Sequence, residues 1–164
     1  GDYQLSTEDV LNGNEHDDVI ALGGYHVDIH RPSGTWVDSM NVQTYDIPYR
    51  ILVVKNKEGL LVAGKCISAS HEAIASARVI PICMAEGQAA GTAAAIAVKE
   101  NKELREITIN NLKNTLIDQK AELRETLEPI DQNLIEQIGQ LPKAKEETTG
   151  ERDLASSGVQ SWIS

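Results

Sequence analysis

Three stretches of the chain carry residue types and spacings able to do chemistry. In Tyr25-His26-Val27-Asp28-Ile29-His30 polar and apolar residues alternate, a period of two that marks a strand and sends His26, Asp28 and His30 to one side. Two imidazoles and a carboxylate on one strand face can hold a divalent metal, or bind and deprotonate a substrate hydroxyl. A solvated strand face explains the same pattern. Arg50, after Pro48-Tyr49, can fork onto a substrate carboxylate or form a surface ion pair. The third stretch is Leu60-Leu61-Val62-Ala63-Gly64, followed after a loop by Arg78-Val79-Ile80-Pro81. A buried strand ending in glycine lets a ligand lie against bare backbone at its carboxyl end. The next helix then aims unpaired N–H groups and partial positive charge at an anionic or electron-rich group. A strand, loop and helix packed through small residues has the same signature. His71-Glu72 between them fits helix capping as well as a place beside a ligand.

The elements that must position these residues follow from periodicity and breakers. Ser6-Thr7-Glu8-Asp9 before Val10-Leu11 has the spacing of a capping box, so a short helix ends near Asn12-Gly13. A second short helix is predicted over residues 17–22, stopped by Gly23-Gly24. The β-branched run Ile51-Leu52-Val53-Val54 suits a strand, Asn56-Lys57-Glu58-Gly59 a turn, and residues 60–64 a fully buried strand. An Ala- and Gly-rich helix is predicted over residues 81–99, with Pro81 in its first turn. Gly87 and Gly91 inside it each cost about 1 kcal/mol relative to alanine, a cost more readily borne where another backbone or a ligand approaches closely. Thr108-Ile109-Asn110 opens an amphipathic helix carrying Leu112, Leu116 and Ile117, and a last helix is predicted over residues 129–138. The polar segment 140–164 reads as a tail or linker.

Composition removes several classes of function. The 164 residues carry 15 basic and 25 acidic side chains, a formal net charge of −10. That acid excess repels phosphate backbones and anionic lipid, and nucleic acid is not an expected partner. The longest apolar run, residues 89–98, falls short of the roughly 20 residues that span a bilayer, so no membrane segment is expected. Cys66 and Cys83 form neither a disulfide framework nor a Cys-x-x-Cys pair, and are expected to be two small buried hydrophobes. The chain begins at Gly1 and is read as a piece of a longer polypeptide, so the compartment cannot be taken from its start, although a cytoplasmic setting is favoured.

Four stretches together carry a resemblance: Gly23-Gly24-Tyr25-His26-Val27-Asp28-Ile29-His30; Tyr45-Asp46-Ile47-Pro48-Tyr49-Arg50; Leu60-Leu61-Val62-Ala63-Gly64-Lys65-Cys66-Ile67-Ser68-Ala69-Ser70-His71-Glu72-Ala73; and Arg78-Val79-Ile80-Pro81-Ile82-Cys83-Met84-Ala85-Glu86-Gly87-Gln88-Ala89-Ala90-Gly91-Thr92-Ala93. On these the chain resembles the carboxyl-terminal portion of FAD-dependent oxidoreductases with a glutathione-reductase-type flavin fold. The resemblance covers residues 1–123 or so. It implies an α/β fold, α+β in isolation, with a few short strands and the Ala/Gly-rich helix completing a Rossmann-like FAD domain in a parent protein. Residues 1–59 are then a substrate-side segment, 60–123 the end of the FAD-binding domain, 124–139 an extra helix and 140–164 the tail or linker.

The resemblance also implies roles. Gly64 and Lys65 lie by the ribityl and phosphate chain, and Ile80, Pro81, Ile82 and Cys83 bring a helix amino terminus to the pyrimidine edge of the flavin ring. Cys66 and Arg78 join that cofactor-side set. Asp28, His30 and Arg50 are the catalytic candidates on the substrate side, and no metal is expected. The family's Gly-x-Gly-x-x-Gly phosphate fingerprint does not follow any strand here. The expectations are therefore an enzyme that passes a hydride between a small organic substrate and FAD in the full-length parent, and an isolated chain that lacks bound FAD and activity. The expected partners are the rest of that flavoprotein, the substrate and, through exposed apolar faces, a second copy. The competing reading is a non-catalytic interaction domain that packs through its apolar helix.

Overall fold

A hydroxyl, a carboxylate and a glycine set the first element. Helix α1, Thr7–Asn12, starts at Ser6, whose Oγ accepts from the Asp9 N–H at 3.1 Å, while the Ser6 N–H donates to Asp9 Oδ2 at 2.9 Å. It stops at Gly13, in the left-handed region at φ 67°. The capping carboxylate does more than cap. Tyr3 Oη donates to Asp9 Oδ2 at 2.8 Å and Asn14 Nδ2 to Oδ1 at 3.0 Å. Desolvation pushes the Asp9 carboxyl upward, but the hydrogen bonds from Asn14, Ser6 and Tyr3 outweigh it and hold the group down at about 2. A folded-state value below the unfolded one stabilises the fold above pH 4 or so and loses that contribution as pH falls toward 2. Asp9→Asn is expected to cost about 2 kcal/mol at pH 7. Urea unfolding of both proteins should show the gap closing between pH 4 and pH 2.

This computed structural model describes residues 1–30 and 37–128, with the side chains of His30, Val37 and Asp38 excepted. Residues 1–127 form one compact unit. After α1 come strands β1 (Val19–Gly23), β2 (Val27–His30), β3 (Val37–Met40) and β4 (Tyr45–Pro48), then helices α2 (His71–Ala77), α3 (Ile80–Glu100) and α4 (Ile109–Asp118). The strands make two antiparallel pairs, β1 with β4 and β2 with β3. The mixture of helices and short strands fits the expected α/β class.

Three predicted elements come out differently. Residues 17–22 were expected to be helical, yet Val19–Gly23 is a strand. Its run of apolar residues is too short to choose a helix, and β-branched Val19 and Ile20 favour the extended form once β4 pairs with it. The strand predicted over residues 51–54 gives way to a tight turn, Tyr49–Ile51, because Pro48 has no N–H to continue a ladder. Ile51, Leu52 and Val53 are still buried. Residues 60–64 form no regular strand. Val62 N–H donates to the Leu52 carbonyl at 2.9 Å and Val54 N–H to that of Leu60 at 3.4 Å, but only Val53 and Leu61 form a bridge. Leu60 is 49% exposed. A strand covered on both faces needs two neighbours, and among the described residues only segment 52–54 pairs with this one.

The long helix matches its prediction closely. Pro81 sits in the first turn of α3, and Asn101, at φ 50°, caps the other end. Its inner face, Ile82, Glu86, Ala89, Ala93 and Ile96, is buried against β1 and α4. Thr92 Oγ1 and Gln88 Nε2 both donate to Gln119 Oε1 at 3.1 Å, just past the end of α4. The outer face carries Ile80, Met84 and Val98, 75%, 69% and 83% exposed, with Gly87 and Gly91 between them. Helix α4 begins after Thr108 as predicted, with Leu112 and Leu116 buried. No single described helix is long and apolar enough to cross a membrane. The helix predicted over residues 129–138 and the segment 140–164 lie outside the described residues.

Candidate functional site

The cofactor-side candidates meet where a left-handed glycine faces a helix start. Gly64 opens the turn Gly64–Cys66 with φ +68°, a conformation that L side chains rarely adopt. A Cβ placed on it would stand 3.8 Å from Cys83, an ordinary contact, so the requirement for glycine is conformational. Its N–H donates to Glu86 Oε2 at 2.7 Å, tying the turn to α3. Lys65 and Cys66 face outward. Burial pushes the Cys83 thiol up, helped by the Glu86 charge and opposed by Lys65. Gly64, Lys65, Cys83 and Glu86 are thus neighbours.

The amino end of α3 has no side-chain cap; Val79 precedes it in extended conformation, and Ile80 and Pro81 are exposed while Ile82 is buried. First-turn N–H groups without intrahelical partners, together with the helix dipole, suit an electron-rich group. The ring edge of a flavin is such a group, and the open left-handed turn beside it offers bare backbone. Those two features fit FAD at its ring end. No Gly-x-Gly-x-x-Gly turn follows any strand among the described residues.

Arg78 reaches away from that corner: its Nη2 donates to the Asp28 carbonyl at 3.0 Å. It thereby ties β2, the substrate-side strand, to the junction between α2 and α3. In β2, Asp28 pairs with Ser39 and His30 with Val37 across the ladder to β3, and His26 lies just before the strand with its ring 4.1 Å from that of Tyr25. Arg50 belongs to a different set. Its Nη2 donates to His16 Nδ1 at 3.2 Å and stands 3.4 Å from Asp18, with the guanidinium 4.8 Å above the Tyr3 ring. The other ring nitrogen, His16 Nε2, stands 3.6 Å from Asp9 Oδ1. His16, Asp18 and Arg50 border a cleft of about 560 Å³ that also includes Tyr49 and Arg105. His71, exposed, begins α2 behind the Ser70 cap, and Glu72 accepts from Thr7 Oγ1 at 3.1 Å, which is the capping and local bonding their positions allow. The cysteines are not two buried hydrophobes: Cys66 is exposed on its turn and Cys83 only half-buried.

With the geometry in hand, similarity to known proteins decides the broad class. The family model for FAD dependent oxidoreductases matches residues 1–116. The chain belongs to the FAD dependent oxidoreductase family. No curated protein and no solved structure matches it. A flavin oxidoreductase of this family has an oxidoreductase function and FAD as cofactor, and the matched stretch contains both the Gly64–Cys66 turn and the whole of α3. Among the described residues, no group of three His, Cys, Asp or Glu side chains could hold a metal ion.

Two buried polar features near these residues went unread in the sequence. Glu86 is fully buried, and burial pushes its carboxyl up to about 7 against the smaller effect of the Gly64 N–H. Its helical spacing with Ile82, Ala89 and Ala93 was the available signal: a lone carboxylate on the apolar face of an alanine-rich helix. The second is the buried chain in which Tyr45 Oη bonds Ser76 Oγ at 2.7 Å and Ser76 donates to the Tyr25 carbonyl. It links β4, α2 and the approach to β2, and no spacing along the chain announces it.

Proposed function

We propose that this chain supplies the flavin-side corner and the substrate-side strand of an oxidoreductase that passes a hydride from a small organic substrate to FAD. The observation that carries the reading is the convergence of the left-handed Gly64 turn with the uncapped amino end of α3, inside a chain of this family. FAD, when bound, supplies the two-electron acceptor. The chain's own part is to bind and orient. The first N–H groups of α3 donate to the pyrimidine edge, while Gly64, Lys65 and Cys66 lie along the chain that leads from the ring, with Arg78 holding the neighbouring strand in place. Asp28 and His30 take the proton from a substrate hydroxyl, and Arg50 faces a substrate carboxylate with the exposed part of its guanidinium.

Variants of the full-length, flavin-loaded parent enzyme test these roles separately. Gly64→Val is expected to lower flavin content, because a β-branched residue resists the left-handed turn. His30→Ala should leave flavin bound and depress kcat by about 10²-fold or more if the imidazole is a general base. Arg50→Ala should raise KM, with partial recovery in Arg50→Lys. Full activity in both the His30 and Arg50 variants would return those residues to a structural role, which the contacts of Arg50 with His16, Asp18 and Tyr3 already describe.

The exposed line of Ile80, Met84 and Val98 supports burial of α3 against another surface, the remainder of a larger flavoprotein in this proposal. Without that cover the chain should self-associate and, lacking a Gly-x-Gly-x-x-Gly sequence for the pyrophosphate, leave a desalting column colourless. Light scattering that shows a monomer at high concentration, or a yellow protein with stoichiometric flavin, would contradict the reading.

A further inference from the structure

We propose that Glu86 is a positioning residue: its carboxyl latches the Gly64–Cys66 turn to α3 while it carries a proton, and releases the turn when the proton leaves. Burial and the shortage of donors favour the neutral acid over the anion. Oε2 accepts one hydrogen bond, from the Gly64 N–H at 2.7 Å, and Oε1 is buried with no partner among the described residues. A carboxylate has room for about four donors, and an anion buried with one is costly, whereas a protonated acid asks much less of its surroundings.

The groups around Glu86 do not offset a charge there. Tyr45 on β4 and Cys83 on α3 both feel the Glu86 charge unfavourably, and burial already pushes the Tyr45 hydroxyl up to about 12. Strand β1 brings only Val19, Ile20, Ala21, Leu22 and Gly23. The packed face of α4 brings Leu112 and Leu116. Lys65, the cation of the turn itself, is exposed, and among the described residues no lysine, arginine or histidine favours the ionised form of Glu86. With its carboxyl at about 7, the latch changes state within the physiological range. Gly64, already in a left-handed conformation, is the pivot on which the turn can leave α3.

The latch does not require a bound cofactor; its consequence for FAD rests on the flavin-side reading above. The test follows the Gly64 amide by heteronuclear NMR on the chain from pH 5.5 to 8.5, with hydrogen exchange at the same amide. The wild-type resonance is expected to titrate with a midpoint near 7, and its protection factor to fall by up to about tenfold per pH unit as pH rises toward that midpoint and to level off above it. In Glu86→Gln both should be flat. The Glu86 carboxyl ¹³C resonance in the wild type gives the midpoint independently, should the variant fail to fold. A Gly64 amide that does not respond to pH, a titration that survives in Glu86→Gln, or a carboxyl midpoint near 4 would overturn the latch. FAD titrations at pH 6 and pH 8 form the second arm, with weaker binding expected at pH 8. If FAD binds at neither pH, the flavin-side reading fails while the amide still decides the latch.

Discussion

Replacing Gly23 by valine is expected to cost about 3–5 kcal/mol, the sum of an overpacked contact and a lost buried hydrogen bond. Gly23 faces Tyr45 directly across the β1–β4 ladder, and the Tyr45 ring lies over it. A Cβ on Gly23 would stand 2.3 Å from Tyr45 Cζ and 2.6 Å from its hydroxyl oxygen. Tyr45 is itself fully buried and held by Ser76, so the ring cannot swing aside without leaving its own buried hydroxyl unpaired. Thermal unfolding should show Tm lower by about 10–20 °C. Tyr45→Phe, which removes only the hydroxyl, should cost about 1–2 kcal/mol. The clash is diagnosed by non-additivity: Gly23→Ala should cost much less in a Tyr45→Ala background than alone. A change within 0.5 kcal/mol for Gly23→Val would mean that the ring does not occupy this place.

Glu86 makes the stability of the whole unit depend on pH in the direction opposite to ordinary acid denaturation. Its carboxyl titrates at about 7 in the fold, against an ordinary value of 4.5, because burial outweighs the Gly64 hydrogen bond. Between those values the folded chain binds the proton and the unfolded chain does not. Stability therefore falls as pH rises from 4.5 to 7 and is level above. The loss reaches about 3 kcal/mol if the side chain stays buried, and less if the turn opens first. Chemical unfolding of the wild type and Glu86→Gln at half-unit intervals isolates the effect, since every other group titrates in both proteins. The difference between them should grow through this window. Parallel stability profiles would show that the Glu86 carboxyl is solvated.

The local signals were the legible ones. Ser6 and Asp9 set α1, Pro81 the start of α3 and Thr108 that of α4, because capping and first-turn preferences act over three or four residues. The alternation of Val27 and Ile29 with Asp28 and His30 likewise marked β2. Where pairing partners decide, local reading failed: Val19–Gly23 is extended because β4 lies beside it, and residues 60–64 are irregular because among the described residues a single neighbour pairs with them. The candidate site divides in the same way. Gly64 and residues 80–83 were visible as a glycine and a helix start, and the fold brings them together. Arg50 was read for its charge alone, and its partners His16, Asp18 and Tyr3 come from distant parts of the chain. Glu86 was visible only as an interruption in an apolar tract, though its helical phase already placed it inward.

The central claim, that the Gly64 turn and the amino end of α3 form the ring-side part of a flavin site, is tested most directly by titrating FAD into the ¹⁵N-labelled chain at pH 6 and mapping which amides move. The account predicts weak, fast-exchanging binding with perturbations confined to Gly64, Lys65, Cys66, Ile80, Ile82 and Cys83. Perturbations centred on the cleft of Tyr49, Arg50 and Arg105, or none at millimolar FAD, would contradict it.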